Sequence, residues 1–288
     1  MWQKIKNKFG LIVLAALGVG AVFIIFAIWQ SAPSNGVKID FFDVGQGSAV
    51  FVAAPNGNQV LIDGGPSDAI LAKLGEAMPI FDRRIEMLIL THPDSDHLSG
   101  LIEVLQRYQI GQILETGIKD ESAEYSVWHN LIKEKNIPVV LARAGETVKV
   151  ADNLSFKVIY PAGGIAGQEF KDTNDSSLVG KLIYGQNEIL LVGDADIKIE
   201  EILLWQRADL QADILLVAHH GSKNSSSADF LAAIAPAIAV IQNGLDNRYG
   251  HPHQETLARL AAVGAAILRT DQTGDVIFNC DLEKCLRK

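Results

Sequence analysis

The stretch Thr91–Gly100 reads THPDSDHLSG. Two histidines and two aspartates fall between His92 and His97, directly after the apolar run IEMLIL (Ile85–Leu90). That run reads as a buried strand. SGLIEVLQRY (Ser99–Tyr108) reads as a helix, with Leu101, Val104, Leu105 and Tyr108 along one face. A strand that ends in imidazoles and carboxylates ahead of a helix is how an α/β protein builds a ligand-bearing rim. Both groups suit zinc, manganese or iron. Alternate side chains of a tight loop point to different sides, so His92, Asp94, Asp96 and His97 can serve two ions. The plainer reading is a helix start capped by Ser95 or Asp96. Without a metal, however, Asp94 and Asp96 repel each other and Asp194.

The same layout recurs along the chain. VKIDFFDV, SAVFVAA and NQVLIDGG read as strands separated by the turn signals GQG and PNGN. Helices are expected near Asp68–Met78 and in SAEYSVWHNLIKEKN, with β signals over Pro138–Tyr160, including the hairpin-like KVADNLSFKV. SSLVGKLIY and EILLVGDAD repeat the strand grammar, followed by the helix IKIEEILLWQRADL. ADILLVAHH and AIAVIQNG are further strands, SSADFLAAIA and HQETLARLAAVGA further helices, and AILRTD and DVIFN close the chain. Each half gives strands first and strand–helix alternation after, which predicts two similar sheets packed face to face with helices outside. Asp43, Asp63, the His92–His97 cluster, Asp194 and the pair His219-His220 each follow an apolar strand. Six of the seven histidines lie in this set or in GHPH (Gly250–His253), and only His129 stands elsewhere.

Composition narrows the function classes. The 288 residues carry a net charge of −9, which argues against charge-driven, non-specific nucleic-acid binding as the main activity. The two cysteines, Cys280 and Cys285, form no C-x-x-C pair, so a cysteine zinc site is excluded. Outside the cytoplasm CDLEKC can close a small disulfide; two free thiols are the other reading. Gly10–Trp29 is 20 residues without a charge, roughly 30 Å of helix, one bilayer core. Lys4, Lys6 and Lys8 precede it, which puts the first residues in the cytoplasm and the rest outside. The expected organisation is a basic cytoplasmic N-terminus (1–9), a transmembrane anchor (10–30), a linker (31–36) and a hydrolase domain (37–288). The protein is then a single-pass protein of the cell membrane, or a secreted one if the anchor is cleaved as a signal peptide.

THPDSDH is similar to the metal-binding signature of the metallo-β-lactamase superfamily, H-x-H-x-D-H, with Asp94 where the second histidine usually stands. The closer resemblance is to the nuclease-like domain of the ComEC competence proteins. FFDVGQGSAVFV, LIDGG, THPDSDHLSG, NDSSLV, LLVGDAD, AHHGSKNSSS and NRYGHPH occur here in that family's order, between Val37 and Asn279. The resemblance implies an α/β fold, the αββα four-layer sandwich, with two divalent ions, zinc or manganese, at its rim. It makes His92, Asp94, Asp96 and His97 loop ligands and Asp194 the bridging carboxylate. One of His219 and His220 becomes the last ligand. His219 is expected, because it directly follows the strand, with His220 then facing the substrate. The superfamily's middle histidine has no counterpart, and Asn174 or Asp175 occupies that region. Asp43, Gln46 and Asp63 take supporting positions. Ser222, Lys223, Asn247, Tyr249, His251 and His253 form the phosphate side. There Lys223 faces a phosphate oxygen, and His251 or His253 protonates a leaving group.

The implied activity is that of a metal-dependent hydrolase, a phosphodiesterase or nuclease acting on DNA outside the cytoplasm. The scaffold also fits a small substrate, such as a phosphorylcholine-type diester, a lactone or a β-lactam. A non-catalytic binding protein with a relic site is the reading outside enzymes.

Overall fold

A computed structural model describes residues 14–22 and 36–288. Among the described residues, fifteen strands form two mixed sheets. The first contains β1 (Val37–Phe41), β2 (Val50–Ala53), β3 (Gln59–Ile62), β4 (Arg84–Ile89), β5 (Gln109–Glu115) and β6 (Val139–Leu141). The chain's last two strands, β14 (Val276–Cys280) and β15 (Cys285–Arg287), return to it, giving the order β15-β14-β1-β2-β3-β4-β5-β6. The second contains β7 (Thr147–Ala151), β8 (Leu154–Tyr160), β9 (Val179–Tyr184), β10 (Asn187–Leu191), β11 (Ile214–Leu216), β12 (Ile238–Ile241) and β13 (Ala266–Arg269). Its order is β13-β12-β11-β10-β9-β8-β7.

Side-chain alternation explains the layering. Along β2, Val50 and Val52 point into the core between the sheets, beside Ile39 and Phe41, whereas Phe51 points the other way, among Leu74, Leu101 and Trp128. Along β10, Ile189 and Leu191 join the inter-sheet core and Leu190 joins Ile199, Leu203 and Phe230. Helices Ala69–Ala77, Ser95–Arg107 and Ala123–Lys135 cover the first sheet. Helices Ile197–Trp205, Ala228–Ile234 and Gln254–Ala262 cover the second. Strands buried on both faces read as continuous apolar runs rather than alternating ones. Each large core side chain contributes about 1.5–3 kcal/mol of burial. The expected four-layer sandwich is therefore present.

One expectation lies largely outside the described residues, one needs adjustment, and one open choice is resolved. The anchor over 10–30 lies largely outside the described residues; 14–22 are helical, and among the described residues no helix is long and apolar enough to cross a membrane. The strand expected to run to His220 stops at Leu216, because Ala218–Gly221 turns away with His219 and His220 both at positive φ. Cys280 and Cys285 are register partners across the β14–β15 hairpin and form a disulfide.

Candidate metal centre

The carboxyl ends of β3, β4, β10, β11 and β12 meet at one rim. Helix Ser95–Arg107 starts immediately after the His92–Pro93–Asp94 turn, with Asp94 at the N-cap. Asp94 makes no side-chain cap there. Its carboxylate instead accepts a hydrogen bond from the Thr173 hydroxyl and lies 3.7 Å from His92 Nε2. The helix start and the His92–His97 loop are thus the same residues, with the N-cap carboxylate turned away from the helix.

One donor atom from each of Asp96, His97, Asp194 and His220 lies within 4.8 Å of the other three. Asp194 follows β10 across Gly193, and its backbone N–H donates to Ser177 Oγ at 3.1 Å. His220 is 2 % exposed, and its Nδ1–H donates to the Gln242 carbonyl at 2.8 Å, which leaves Nε2 facing Asp96 Oδ2 at 3.2 Å and Asp194 Oδ2 at 3.6 Å. His97 Nδ1–H donates to Asp63 Oδ2 at 2.7 Å. The Thr91 hydroxyl donates to the same carboxylate oxygen at 2.8 Å, so its own oxygen accepts from His92 Nδ1–H at 3.1 Å. The network therefore places a proton on Nδ1 of His92, His97 and His220 and turns each Nε2 toward the centre.

Electrostatics point the same way. Burial works against a charged His97, but the carboxylates of Asp194 and Asp63 outweigh it and lift His97 well above the usual histidine value. Burial alone would raise Asp194, yet His97 and His220 hold it well below the usual carboxylate range. Burial also opposes ionisation of Asp96, and the hydrogen bond from His220 with the charge of His97 brings it to about 2. His92 is driven down to about 4, first by burial and then by His97. Two carboxylates thus stay ionised around imidazoles, and a protonated imidazole holds the positive charge between them. His92 Nε2, His97 Nε2 and Asp194 Oδ1 are buried with no hydrogen-bond partner, although the last two lie 3.1 Å apart. Orphaned buried donors and acceptors are costly. A divalent cation satisfies them without a proton, so the donor set fits a metal.

The last-ligand expectation changes here. His220, not His219, belongs to the quartet. His219 is on the outer side, with Nδ1 3.1 Å from Asp196 Oδ1 and Nε2 3.8 Å from Asp194 Oδ2. Burial lowers His219, but Asp196 and Asp194 lift it to about 8. The remaining candidates divide into two groups. His251 packs at the centre's edge, its ring centroid 5.6 Å from that of His219 and 6.4 Å from that of His220. His253 accepts from the Lys223 backbone N–H at 3.3 Å, and Tyr249 stacks on His251. Asn174 is buried with Oδ1 unpartnered.

The second group holds backbone. Asn247 clamps the loop by accepting from His251 N and donating to the carbonyls of Gly244 and His251. Gln46 Oε1 accepts from Gly244 N at 3.1 Å, tying the first sheet's rim to the second. Asp43 shapes its own loop through Gly45 N, Asp175 pairs with Lys198, and Ser222 Oγ accepts from Asn224 N. Lys223 is exposed.

Thr91, Gln242 and Thr173 hold side chains of the cluster and Asp196 holds His219, and none of the four was singled out from the sequence. Only Asp196 carried a signal, sitting two residues beyond Asp194. Gln242 acts through its carbonyl, which no side-chain pattern reveals.

A sequence model described as the Metallo-beta-lactamase superfamily matches residues 42–244. The chain is 30% identical to ComE operon protein 3 of Bacillus subtilis (strain 168) over 286 residues, 93% of this chain and 36% of that protein. It is also 30% identical to competence protein ComA of Neisseria gonorrhoeae over 251 residues, 86% of this chain and 33% of the other. The chain thus spans about a third of the length of these relatives. Among solved structures, the metallo-beta-lactamase fold protein YhfI of Bacillus subtilis superposes with a TM-score of 0.56 at 9% identity, covering 85% of this chain and all of that one. A diphosphatase from the PhnP family gives 0.51 at 15% identity, over 87% and 99%. At these identities the two structures speak for the fold alone.

Proposed function

Since this chain belongs to the metallo-beta-lactamase superfamily, we propose that it is a metal-dependent phosphodiesterase, a nuclease acting on DNA outside the cytoplasm, held to the membrane by residues 10–30. The single observation that carries the hydrolytic reading is the quartet Asp96, His97, Asp194 and His220, in which His97 Nε2 and Asp194 Oδ1 are buried without a hydrogen-bond partner. The likeness to competence proteins favours DNA over other phosphodiesters.

Two divalent ions, zinc or manganese, would be held by His92, Asp94 and Asp194 on one side and by the quartet on the other; when bound they polarise a phosphoryl oxygen and acidify water. The chain's own residues do the rest. Asp63 and Gln242 fix which imidazole nitrogen faces the centre. His251 is driven to about 4 by burial and by His220, His219 and His253, so it is neutral at pH 7 and accepts or relays a proton at its buried, unpartnered Nδ1. His219, lifted to about 8, is the cation beside it and can donate to a leaving oxygen.

The test uses the full chain in detergent with Mn²⁺ or Zn²⁺, assayed on bis-p-nitrophenyl phosphate, single- and double-stranded DNA, and nitrocefin, beside Asp96→Ala. Metal-dependent cleavage of the diesters that Asp96→Ala loses is the expected result. Cleavage of nitrocefin alone overturns the phosphodiesterase reading. The net charge of −9 favours the second reading, a small diester, which cleavage of bis-p-nitrophenyl phosphate without DNA would select.

A further inference from the structure

The loop Gly244–His253 places a graded stack of flat groups between solvent and the metal centre. Arg248 is at its outer end: its guanidinium carbon lies 4.9 Å from the Tyr249 ring centroid, and its Nη2 donates to the Tyr249 hydroxyl at 2.8 Å. Tyr249 is 51% exposed and stacks on His251 at 5.7 Å with 24° between the planes. His251 is in turn one ring spacing from both His219 and His220. These spacings fall in the range of favourable aromatic and cation–π contact. Asn247 ties the loop on either side of Arg248 and Tyr249, through His251 N, His251 O and Gly244 O. Leu245, 75% exposed, adds apolar surface to the same loop.

We propose that Arg248 and Tyr249 form a shelf on which an unpaired base of a single-stranded DNA stacks, so that the strand's backbone leads inward to the metal centre. The inference rests on the phosphodiesterase reading above and goes beyond it by naming strandedness. Aromatic rings and guanidinium planes bind any base by its face, which a duplex keeps covered by its neighbours. The guanidinium also offers fork-shaped donors to the phosphate that follows the stacked base. One such cation on an acidic body is a local attraction and need not be part of a long basic groove.

Binding by the full chain in detergent tests it, with fluorescein-labelled oligothymidylate against an abasic backbone of the same length. Both probes carry the same phosphates, so only base stacking separates them. Stacking on one aromatic residue predicts about ten-fold or more tighter binding of the base-bearing strand. Tyr249→Phe should keep that preference and Tyr249→Ala should abolish it. Arg248→Ala should flatten the slope of log K against log salt by about 0.7, one phosphate's worth on a single strand. An unchanged preference in Tyr249→Ala, no preference in the wild type, or no binding of either probe overturns the shelf. Metal-dependent cleavage of bis-p-nitrophenyl phosphate, which needs no base, reports separately on the phosphodiesterase reading.

Discussion

His97 Nδ1 and Asp63 Oδ2 lie 2.7 Å apart, joining the end of β3 to the first turn of helix Ser95–Arg107. Asp63 also accepts from the backbone N–H of Thr91 at 2.9 Å and from its hydroxyl. One carboxylate thereby sets the tautomer of His97 directly and of His92 through Thr91. Asp63→Asn keeps the shape but lets the amide present its NH₂ to Nδ1, which breaks the orientation. Losing such a partner costs about 10–100-fold in metal affinity. Competition titration with a chromogenic chelator measures it; an Asp63→Asn protein that binds as tightly as wild type removes this role.

The neighbours His219 and His220 should separate cleanly. His220→Ala deletes a member of the quartet and should strip that site, as read by elemental analysis after desalting. His219→Ala leaves the quartet whole and should retain more metal, while changing the alkaline limb of the pH–rate profile through loss of a group near 8. The reverse ranking of metal content would return the ligand role to His219.

The metal-free protein should lose stability on the alkaline side. His97 is raised above its unfolded value of about 6.5, so its contribution is complete below that pH and disappears as pH rises through the folded value. A bound cation replaces that proton. The melting temperature of EDTA-treated protein should therefore fall from pH 6.5 to 9, and the gain on adding metal should grow over the same interval. A metal-induced shift that is constant across those pH values would contradict a proton and a cation competing for one place.

Much of the site was legible because strand ends that carry His and Asp must converge when apolar strands stack. The convergence of the His92–His97 loop with Asp194 and the His219-His220 pair follows from that topology. The choice between His219 and His220 was not legible. It depends on two consecutive residues at positive φ, which turn the first ring outward and the next inward; such a φ is uncommon for any residue but glycine, and the spacing of the motif does not signal it. The return of β14 to the first sheet was equally hidden, since DVIFN looks like any other strand. Its partner β1 lies more than two hundred residues away. Loop-clamping side chains such as Asn247 and Gln46 resemble candidate ligands in sequence, because amides serve backbone and substrate with the same atoms.

Two glycines give the sharpest test of the packing around the centre. In LIDGG and DHLSG, backbone meets backbone: Gly64 N–H donates to the His97 carbonyl at 2.8 Å and Gly100 N–H donates to the Gly65 carbonyl at 2.9 Å. A Cβ on Gly100 would lie 1.8 Å from the Gly64 carbonyl oxygen, whereas one on Gly75, in helix Ala69–Ala77, would meet nothing within 4 Å. Both substitutions to alanine gain about 1 kcal/mol of helix propensity. At Gly75 that gain stands, and the melting temperature should rise by a few degrees. At Gly100 the helix must move off the Asp63 loop, a strain of about 1–3 kcal/mol or more, so Gly100→Ala should melt lower than wild type. Because the displaced loop carries Asp63, the same variant should also bind metal more weakly, although residue 100 holds no ligand atom. Thermal melts and chelator competition on the pair decide the matter: equal melting temperatures for Gly75→Ala and Gly100→Ala would mean that the helix and loop are not in backbone contact.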